Sequence, residues 1–515
     1  MKRILLPTLF ACGGFTAWAQ QPNIIFFIVD DMGWQDCSLP MWKDTTALNR
    51  LFQTPNLERL ADQGAKFPNA YASAVSSPTR VSLMTGMNPT SHRVSNWTLR
   101  YDQSTDNPSN ILDFPQWNVN GLQPVGANVP RSIEANTLPE LLRDNGYHTI
   151  HVGKAHFGSI DTPGEEPLNL GFDANVAGHA AGGLASYLGE ENFGNRTDGQ
   201  ASSLFAVPGL EQYWGEDIFV TEALTIEAIK ELDKARESDK PFYLYMSHYG
   251  IHVPFNADNR YYQKYIDQGL SKQWAMYASM VEGVDKSLGD LMDYLEREGI
   301  ADETIIIYMS DNGGLSVAGR EPHPITGSRV NYPLNSGKGS AFEGGVRVPL
   351  VVSLPDDSKQ GLTIPHRVDV SDMLPTVLSM AQVKKYKTVQ KIDGIDFSPM
   401  ISDEEVKVKD RTFYWHFPCK WDAEGAGIGT YSMILDGDWK LIYYYNTGET
   451  MLFNVTEDIS EIVDQSKNPQ YSKLCNDLAK SLTKYLRKNN AQMPQYKDGS
   501  YCDYPDGSHY HVKEI

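Results

Sequence analysis

The sequence contains one short segment whose residue types suit chemistry on an anion, Ser76-Ser77-Pro78-Thr79-Arg80. Pro78 favours the first turn of a helix, where the missing N–H of proline is no loss. Ser76 would then lie at a helix N-terminus, where free N–H groups and the helix dipole favour anions. Arg80 follows by four residues and shares the helix face of Ser76. The segment predicts a site for a tetrahedral anion, although an ordinary Ser/Thr-rich cap is the simpler explanation when it is taken alone.

Two pairs of oxygen-bearing side chains predict a metal site. Asp30 and Asp31 follow one apolar run, and Asp311 and Asn312 follow another. Carboxylate and amide oxygens are ligands for Ca²⁺ or Mg²⁺, whereas Zn²⁺ prefers His or Cys. Either pair alone is more often a helix cap or a turn. Together, and with the anion-site segment, they favour a bound divalent cation.

Four further residues are candidates for binding charge or moving protons. Lys154 and Lys338 are the cations, and Lys338 lies among small residues that would let it approach a ligand. His156 and His252 are the proton-transferring candidates, since imidazole titrates near neutral pH. A lone Lys is usually solvated and a lone His usually serves its loop, so these residues carry weight only as a set.

These side chains follow apolar runs that predict the strands of one sheet. Predicted strands cover residues 24–29, 148–152, 242–246, 304–309 and 348–352, and predicted helices cover residues 55–61, 138–142, 219–232 and 276–295. Strands that alternate with helices predict a doubly wound, mostly parallel sheet flanked by helices. Ligands of such sheets bind beyond the carboxyl ends of the strands. The polar clusters recur at those ends, and this is the strongest indication of a site.

The organisation of the chain changes near residue 400. Residues 413–416, 431–435 and 440–445 predict antiparallel strands, with an Asp436-Gly437 turn between the last two, and residues 471–486 predict a closing amphipathic helix. We therefore predict an export signal at 1–19, a catalytic domain at 20–405 and a smaller α+β domain with antiparallel strands and a helix at 406–515. The polar stretches 102–131 and 178–215 are interpreted as loops over the site.

Composition and the N-terminus limit the class of protein. A formal net charge of −20 and a pI near 5.0 argue against nucleic acid as a partner. Lys2 and Arg3 precede an apolar segment and a small-x-small site at Ala17-Trp18-Ala19, which is typical of a signal peptide. We expect a periplasmic protein without a transmembrane span. Secretion, or an outer-membrane lipoprotein lipidated at Cys12, are the alternatives, and the other four cysteines do not specify a disulfide pairing.

The anion-site segment resembles the signature of type I sulfatases, Cys or Ser-x-Pro-x-Arg followed by Thr-Gly. The resemblance extends in order over nearly the whole chain after the export signal. It includes the Asp30-Asp31 strand end and Ser310-Asp311-Asn312-Gly313-Gly314. It also includes Gly153-Lys154-Ala155-His156, where Ala155 replaces the usual Trp, and Ile251-His252-Val253-Pro254, where Ile251 replaces the usual Pro. A final block, Gly337-Lys338-Gly339 with residues 343–349, is similar to the stretch that carries the second sulfate-binding Lys of the family.

The resemblance implies an alkaline-phosphatase-like fold and a sulfuric ester hydrolase of the bacterial serine type. It implies that a radical S-adenosylmethionine maturase oxidises Ser76 to Cα-formylglycine (3-oxoalanine). It also implies that Ca²⁺, or Mg²⁺, is held by Asp30, Asp31, Ser76, Asp311 and Asn312. One oxygen of the aldehyde hydrate would attack sulfur, with Arg80 holding the hydrate and Lys154 and Lys338 binding sulfate. His252 would be the general acid and His156 would help to remove the second hydrate proton, although these two roles can be exchanged.

The expected substrate is a sulfated carbohydrate, and loop residues near the signature blocks are candidate sugar contacts: Trp97, Arg100, His323 and Arg329. Each of these residues is more often needed by its own loop. Two alternatives remain open. One is a phosphatase or phosphonate monoester hydrolase of the same superfamily, and the other is a sulfated-glycan-binding protein without turnover, which requires that Ser76 stays unmodified.

Overall fold

Strand β1 (Asn23–Val29) lies in the middle of the largest sheet, as its continuous apolar sequence predicts. It pairs in parallel with β10 (Thr304–Ser310) on one side and with β9 (Phe242–Ser247) on the other. The register places Val29 opposite Ser310, so the segments that follow the two strands leave the sheet side by side. The computed structural model describes residues 21–317, 319–355, 361–402, 410–421 and 425–510. The predicted export signal at 1–19, with Cys12, lies outside them.

The largest sheet has eight strands in the order β13-β2-β12-β10-β1-β9-β7-β8. The other five are β2 (Gly64–Lys66), β7 (His148–Gly153), β8 (Ala174–Val176), β12 (Leu350–Ser353) and β13 (Leu362–Thr363). The run from β10 to β8 is parallel, while β12 is antiparallel to both β10 and β2. The predicted mixed, mostly parallel sheet is confirmed.

The apolar run at residues 348–352 forms two strands rather than the single predicted one. β11 (Arg347–Val348) pairs with β3 (Ala70–Tyr71), which also pairs with β14 (Val368–Asp369), in a separate three-stranded sheet. β12 begins after Pro349 and joins the large sheet. Because proline has no N–H to donate to a ladder, Pro349 marks the point where the chain changes sheets.

Helices cover both faces of the large sheet, and alternate residues of β1 belong to the two cores. Ile24, Phe26 and Ile28 face one core, and Ile25, Phe27 and Val29 face the other. The described helices are α1 (Ala47–Leu51), α2 (Pro55–Asp62), α3 (Ser76–Thr85), α4 (Pro89–His92), α5 (Leu138–Arg143), α6 (Val220–Arg236), α7 (Tyr262–Asp267), α8 (Lys272–Arg297), α9 (Glu343–Val346), α10 (Met373–Met380), α11 (Ser398–Ser402) and α12 (Ser472–Lys488). The four helices predicted before residue 300 correspond to α2, α5, α6 and α8.

The C-terminal region forms an antiparallel sheet of four strands, one more than predicted. These are β15 (Phe413–Phe417), β16 (Tyr431–Asp436), β17 (Trp439–Tyr444) and β18 (Glu449–Asn454). Gly437 turns the chain between β16 and β17 with a φ of 53°, as the Asp-Gly pattern predicts. Met433 of β16 packs into the core of the large sheet, while Ile434 packs against α12. The sheet therefore rests on the main body through one of its faces.

Two pairs of short strands lie outside the sheets described above. β4 (Leu112–Asp113) pairs with β19 (Gln495–Tyr496), and β5 (Leu122–Gln123) pairs with β6 (Ile133–Glu134). The thiols of Cys37, Cys419, Cys475 and Cys502 are free. Among the helices of the described residues, none has the length and apolar character needed to cross a membrane.

Candidate functional site

The carboxyl ends of β1 and β10 bring three carboxylates together, as the sequence predicts. Because these strands pair in register, Asp30 and Asp31 emerge next to Asp311. One oxygen from each carboxylate lies within 4.8 Å of the others, and all three side chains are buried. The backbone N–H of Asp31 donates to Asp311 Oδ1 at 3.2 Å, and Asn312 Nδ2 donates to Asp31 Oδ1 at 2.8 Å. The four predicted metal ligands from the strand ends therefore form one cluster.

Helix α3 places Ser76 against this cluster. The helix begins at Ser76 and has Pro78 in its first turn, and it ends at Gly86, whose φ of 68° suits glycine. The Ser76 hydroxyl lies 3.2 Å from Asp30 Oδ1 and 3.2 Å from Asn312 Oδ1. Every residue of α3 is buried. The helix N-terminus is thus directed at the carboxylate cluster, where its dipole favours negative charge.

Arg80 forms a buried ion pair with Asp311. Its Nε and Nη2 donate to Asp311 Oδ2 at 3.1 and 2.9 Å, and its Nη1 donates to Ser247 Oγ at 2.7 Å. Neither side chain of the pair is exposed. Although burial opposes ionisation of Asp311, the cations Arg80, Lys154 and Lys338 lower its pKa. Arg80 therefore keeps Asp311 ionised and fixes its orientation.

The two predicted lysines approach the same cluster from different segments. Lys154, directly after β7, donates to Asp30 Oδ2 at 2.6 Å and to Ser76 Oγ at 3.2 Å. Lys338 Nζ lies 2.7 Å from Asp31 Oδ1, and its pKa is raised by Asp31 and the neighbouring carboxylates. Burial lowers the pKa of Lys154 to about 8, so it is still largely a cation at neutral pH. Three cations and three carboxyl groups therefore lie together in the buried cluster.

Both candidate histidines line the same pocket as Ser76. His156 Nε2 lies 2.9 Å from Ser77 Oγ and 2.9 Å from the Thr98 carbonyl oxygen. His252 Nε2 lies 3.8 Å from Asp31 Oδ2, and its side chain is 21% exposed. Burial lowers the pKa of His252 to about 4 and that of His156 well below its ordinary value. Both imidazoles are therefore neutral near pH 7 in the free protein.

Two glycines allow the histidines to lie where they do. A Cβ atom on Gly182 would lie 2.1 Å from His156 Cε1, and a Cβ atom on Gly183 would lie 3.0 Å from His252 Cε1. The backbone of the 178–215 stretch therefore packs directly against both rings. The prediction that this stretch covers the site is confirmed by this contact.

The carboxylate cluster suits a hard divalent cation. Asp31 Oδ2 is buried and has no hydrogen-bond partner in the part of the chain that the structure describes. Burial and the neighbouring Asp311 carboxylate raise the pKa of Asp30 well above its ordinary value. Both features show negative oxygens crowded together, and a divalent cation relieves such crowding. The set of three carboxylates and an amide oxygen suits Ca²⁺ or Mg²⁺ better than Zn²⁺.

A pocket of about 220 Å³ opens above Ser76. Its polar lining consists of Ser76, His156, His252 and Lys338, and its apolar lining includes Val75, Trp97, Phe205, Val253, Leu315 and Trp421. Of the four candidate sugar contacts, Trp97 lines this pocket. His323 packs edge-on against Trp274 at 4.7 Å, and Arg329 donates to the Pro333 carbonyl oxygen and to Ser460 Oγ, so these two serve their own loops. Arg100 is exposed outside the lining.

Sequence reasoning missed several residues of the site. Ser77 contacts His156, Phe205 and Trp421 line the pocket, and the Lys338 ammonium lies 5.7 Å from the centre of the Trp421 ring. Trp421 belongs to the C-terminal region, far along the chain from the signature blocks. The aromatic character of Phe205 and Trp421 was the available signal, but neither residue has a neighbour in sequence that carries chemistry.

A buried polar brace fixes the loops that carry the site. Arg320 Nη1 donates to Asp36 Oδ2 at 3.0 Å, and Arg320 Nη2 donates to Asn331 Oδ1. Asp36 Oδ2 also accepts from the Gly33 N–H at 2.9 Å, in the loop that follows Asp31. Asn331 Nδ2 donates to the carbonyl oxygens of Gly314, Leu315 and Ser336 at 3.0, 3.2 and 2.7 Å. The brace therefore joins the loops after β1 and β10 to the loop that holds Lys338.

Comparisons with known proteins agree with this geometry. A model of the sulfatase family matches residues 22–383, and a model of the C-terminal region of N-sulphoglucosamine sulphohydrolase matches residues 337–488. A protein from Formosa agariphila called "Sulfatase" is 27% identical over an alignment that covers 92% of this chain and 90% of that protein. The N-acetylgalactosamine-6-sulfatase of Rattus norvegicus is 28% identical over 418 residues, which cover 77% of this chain and 69% of that enzyme.

A solved structure is similar over most of its length. It is the crystal structure of Ps i-CgsB in complex with k-i-k-neocarrahexaose, with a TM-score of 0.71 and 28% identity. The match covers 91% of this chain and 94% of that one.

Proposed function

The chain belongs to the sulfatase family and is an enzyme of that family, and on this premise we propose that it removes sulfate from a sugar by means of an oxidised Ser76 and a bound divalent cation. The observation that carries the proposal is the position of Ser76. Its hydroxyl lies at the N-terminus of α3, within 3.2 Å of Asp30, Asn312 and Lys154. A side chain in that position is held by metal ligands and by a cation at once.

The encoded hydroxyl is a weak nucleophile in these surroundings. Asp30 and Asn312 accept from it, and Lys154, still largely a cation, binds Asp30 at 2.6 Å, which makes the Asp30 carboxylate a weaker base towards the hydroxyl. We therefore propose that a radical S-adenosylmethionine maturase removes two hydrogens from the Ser76 side chain and leaves Cα-formylglycine. As a hydrate, this aldehyde supplies the oxygen that attacks sulfur. The net reaction then consumes one water and releases sulfate and the sugar alcohol.

The carboxylate cluster would hold the divalent cation, and we propose Ca²⁺, with Mg²⁺ as the alternative. Asp30, Asp31, Asp311 and Asn312 are the ligands from the protein, and the side chain at position 76 completes the set. Bound there, the cation supplies positive charge beside the nucleophilic oxygen and the sulfate group. Lys154 and Lys338 contact Asp30 and Asp31 in the free protein, and their ammonium groups would bind the sulfate oxygens of the substrate.

The different exposure of the two histidines supports one assignment of their roles. His252 is 21% exposed and lines the open part of the pocket, where the leaving sugar must depart. We propose that it protonates the leaving oxygen, since a bound sulfate ester beside it raises its low pKa. His156 is almost fully buried, and its low pKa keeps it neutral. It suits the removal of a proton from the nucleophile side of the reaction.

The relatives support a sulfated sugar as substrate. One relative is named for the 6-sulfate of N-acetylgalactosamine, and the similar solved structure holds k-i-k-neocarrahexaose. The pocket above Ser76 is large enough for a ring rather than for the sulfate group alone. We therefore propose carbohydrate sulfate esters as the substrate class.

Mass spectrometry of the peptide that contains Ser76 tests the chemistry directly. We expect a product two hydrogens lighter than the encoded peptide, and a larger modified fraction when a radical S-adenosylmethionine maturase is co-expressed. Ser76→Ala should abolish hydrolysis of sulfate esters and preserve the fold. An unmodified Ser76 in an active enzyme contradicts the mechanism, and a strong preference for phosphate esters over sulfate esters contradicts the sulfatase activity of this site.

We also propose that residues 1–19 direct export to the periplasm. The N-terminal sequence of the mature protein, recovered from the periplasmic fraction, should begin at Gln20 or close to it. A mature protein that begins at Cys12 and fractionates with the outer membrane would instead support lipidation.

A further inference from the structure

The wall of the pocket above Ser76 is aromatic and aliphatic apart from the groups that serve sulfate and proton transfer. Trp97, Phe205 and Trp421 line it together with Leu315. Aromatic faces bind the apolar C–H faces of flat ligands, whereas hydroxyl and charged groups need polar partners. The pocket therefore recognises the shape of a ring more than its charge.

The pocket holds very little charge for a second anionic group. Among the described residues that line it, Lys338 is the only Lys or Arg. That ammonium group is already directed at Asp31 and, under the proposed function, at the sulfate oxygens. A carboxylate or a second sulfate on the same ring would face the apolar wall without a cation, which is unfavourable for a desolvated charge.

The size of the pocket suits one ring. Its volume of about 220 Å³ is below the range of about 300 to 1,000 Å³ that is usual for drug-sized ligands. A disaccharide would therefore extend out of the pocket.

The buried side chain of Asn96 joins the backbone segments that carry Trp97 and Trp421. Asn96 Oδ1 accepts from the backbone N–H of Trp97 at 2.9 Å, and Asn96 Nδ2 donates to the backbone carbonyl oxygen of Lys420, next to Trp421, at 3.4 Å. Asn96 Nδ2 also donates to Asp106 Oδ1 at 2.9 Å, and Asn96 is completely buried. The segments that carry the tryptophans are thus joined before any ligand arrives.

The ring of Trp421 also packs against Gly339. A Cβ atom on Gly339 would lie 2.3 Å from Trp421 Cε3, and Gly339 has a φ of 82°. The indole therefore lies against the backbone of the residue that follows Lys338. A rigid aromatic surface beside the sulfate-binding ammonium is preorganised for a sugar whose sulfate is already bound.

From this wall we infer that the enzyme selects a sulfated sugar ring with no second charge, namely a monosulfated hexose or N-acetylhexosamine, and that Trp97 and Trp421 are its specificity-determining residues. The inference rests on the proposed function, since it concerns the sugar attached to the sulfate. A sulfated uronic acid and a disulfated ring are the disfavoured substrates.

A panel of monosaccharide sulfates tests the substrate class. We expect kcat/KM for a hexose monosulfate or an N-acetylhexosamine monosulfate to exceed that for a sulfated uronic acid by about 100-fold, because the unpaired carboxylate must be desolvated. Equal or better turnover of the uronic acid overturns the inference and leaves the proposed function intact. If an enzyme with oxidised Ser76 hydrolyses none of them, the proposed function fails. Calorimetry on the Ser76→Ala protein then still decides the inference, because it should show binding of the hexose or N-acetylhexosamine monosulfate and no binding of the sulfated uronic acid.

Variants test the assigned residues. Trp97→Ala and Trp421→Ala should each lower kcat/KM for the sulfated sugar about tenfold, as expected for the loss of a large aromatic contact. Inhibition by inorganic sulfate should change less than turnover of the sugar sulfate, because that anion carries no ring to stack on the tryptophans. Asn96→Ala should also lower kcat/KM for the sulfated sugar, as the two tryptophan substitutions do. Trp439→Ala, which removes a tryptophan of β17 whose ring packs at a tilted angle against Tyr471, is the matched control and should have no such effect. Unchanged kcat/KM in folded Trp97→Ala and Trp421→Ala overturns the inference.

Discussion

Asn331→Asp should weaken metal binding without touching a metal ligand. The substitution keeps the shape of the side chain, and Oδ1 can still accept from Arg320. It replaces the Nδ2 group, which donates three hydrogen bonds of 2.7 to 3.2 Å, with a carboxylate oxygen. That oxygen would face three carbonyl oxygens and would add a second negative charge beside Asp36. The loops that carry Asn312 and Lys338 would therefore move apart.

The magnitude follows from those three contacts. The Ser336 carbonyl oxygen loses its donor, which costs about 1 to 3 kcal/mol. The carbonyl oxygens of Gly314 and Leu315 keep the Lys338 N–H and Arg320 Nε as donors but face a carboxylate oxygen in place of an amide N–H, and one loop movement relieves these costs together. We expect a loss of about 3 to 5 kcal/mol in the free energy of unfolding, in the range of disrupted buried networks. Residues that orient metal ligands typically change metal affinity by about 10- to 100-fold. A tenfold weaker Kd removes about 1.4 kcal/mol of metal-dependent stability at a fixed calcium concentration.

Thermal unfolding during a calcium titration measures the effect. The metal-free protein is prepared with a chelator, and the calcium concentration at half of the maximal Tm increase gives the apparent affinity. Asp285→Asn is the control, since Asp285 is a buried carboxylate that accepts from the backbone N–H groups of Asn56 and Leu57 at the start of α2. It should lower Tm and leave the calcium midpoint unchanged. An Asn331→Asp protein with the wild-type calcium midpoint and the wild-type kcat/KM would refute the positioning role of the brace.

Three further predictions concern the metal, a glycine and the response to acid. Removal of divalent cations with a chelator should lower Tm and abolish turnover, and calcium should restore both; an unchanged Tm would contradict a metal at the carboxylate cluster. Gly182→Ala should lower kcat by about tenfold or more, because misplacing a catalytic group is costly and the new Cβ displaces His156. Gly429→Ala, where a Cβ atom has ordinary contact distances of 3.5 Å and more, should be nearly neutral. Burial lowers the pKa of His416 to about 4, so this side chain takes up a proton at a higher pH in the unfolded chain than in the folded protein. Stability should therefore fall as the pH drops from about 6.5 towards 4. In a plot of Tm against pH, His416→Gln should reduce this slope, and an unchanged slope would contradict the low pKa of His416.

The strands and the carboxylate cluster were predictable because each has a local signature. Buried parallel strands are continuous apolar runs, and the polar residues that follow them must meet at one edge of the sheet. Asp30 and Asp311 therefore could be placed together although 281 residues separate them in the numbering of the chain. The prediction needed the strand ends and no knowledge of side-chain packing.

The brace and the aromatic wall were not predictable, because their signals are not local. Asp36 lies five residues after Asp31, yet its partner Arg320 has no feature in sequence that marks it as buried. Asn96 resembles any loop asparagine until the chain brings Lys420 next to it. The fourth strand of the C-terminal sheet was missed for a related reason. β18 has exposed or half-buried residues at its start and a weak alternation.

The complete burial of α3 has a consequence for the order of events in the life of the molecule. Ser76 is 2% exposed, and the helix that it begins lies wholly inside the protein. Under the proposed function, a maturase would need to reach the Ser76 side chain, which the folded protein buries. We therefore expect oxidation to precede folding. A chain that folds first would keep an unmodified Ser76, and the yield of working enzyme would depend on which of the two competing processes reaches residue 76 earlier.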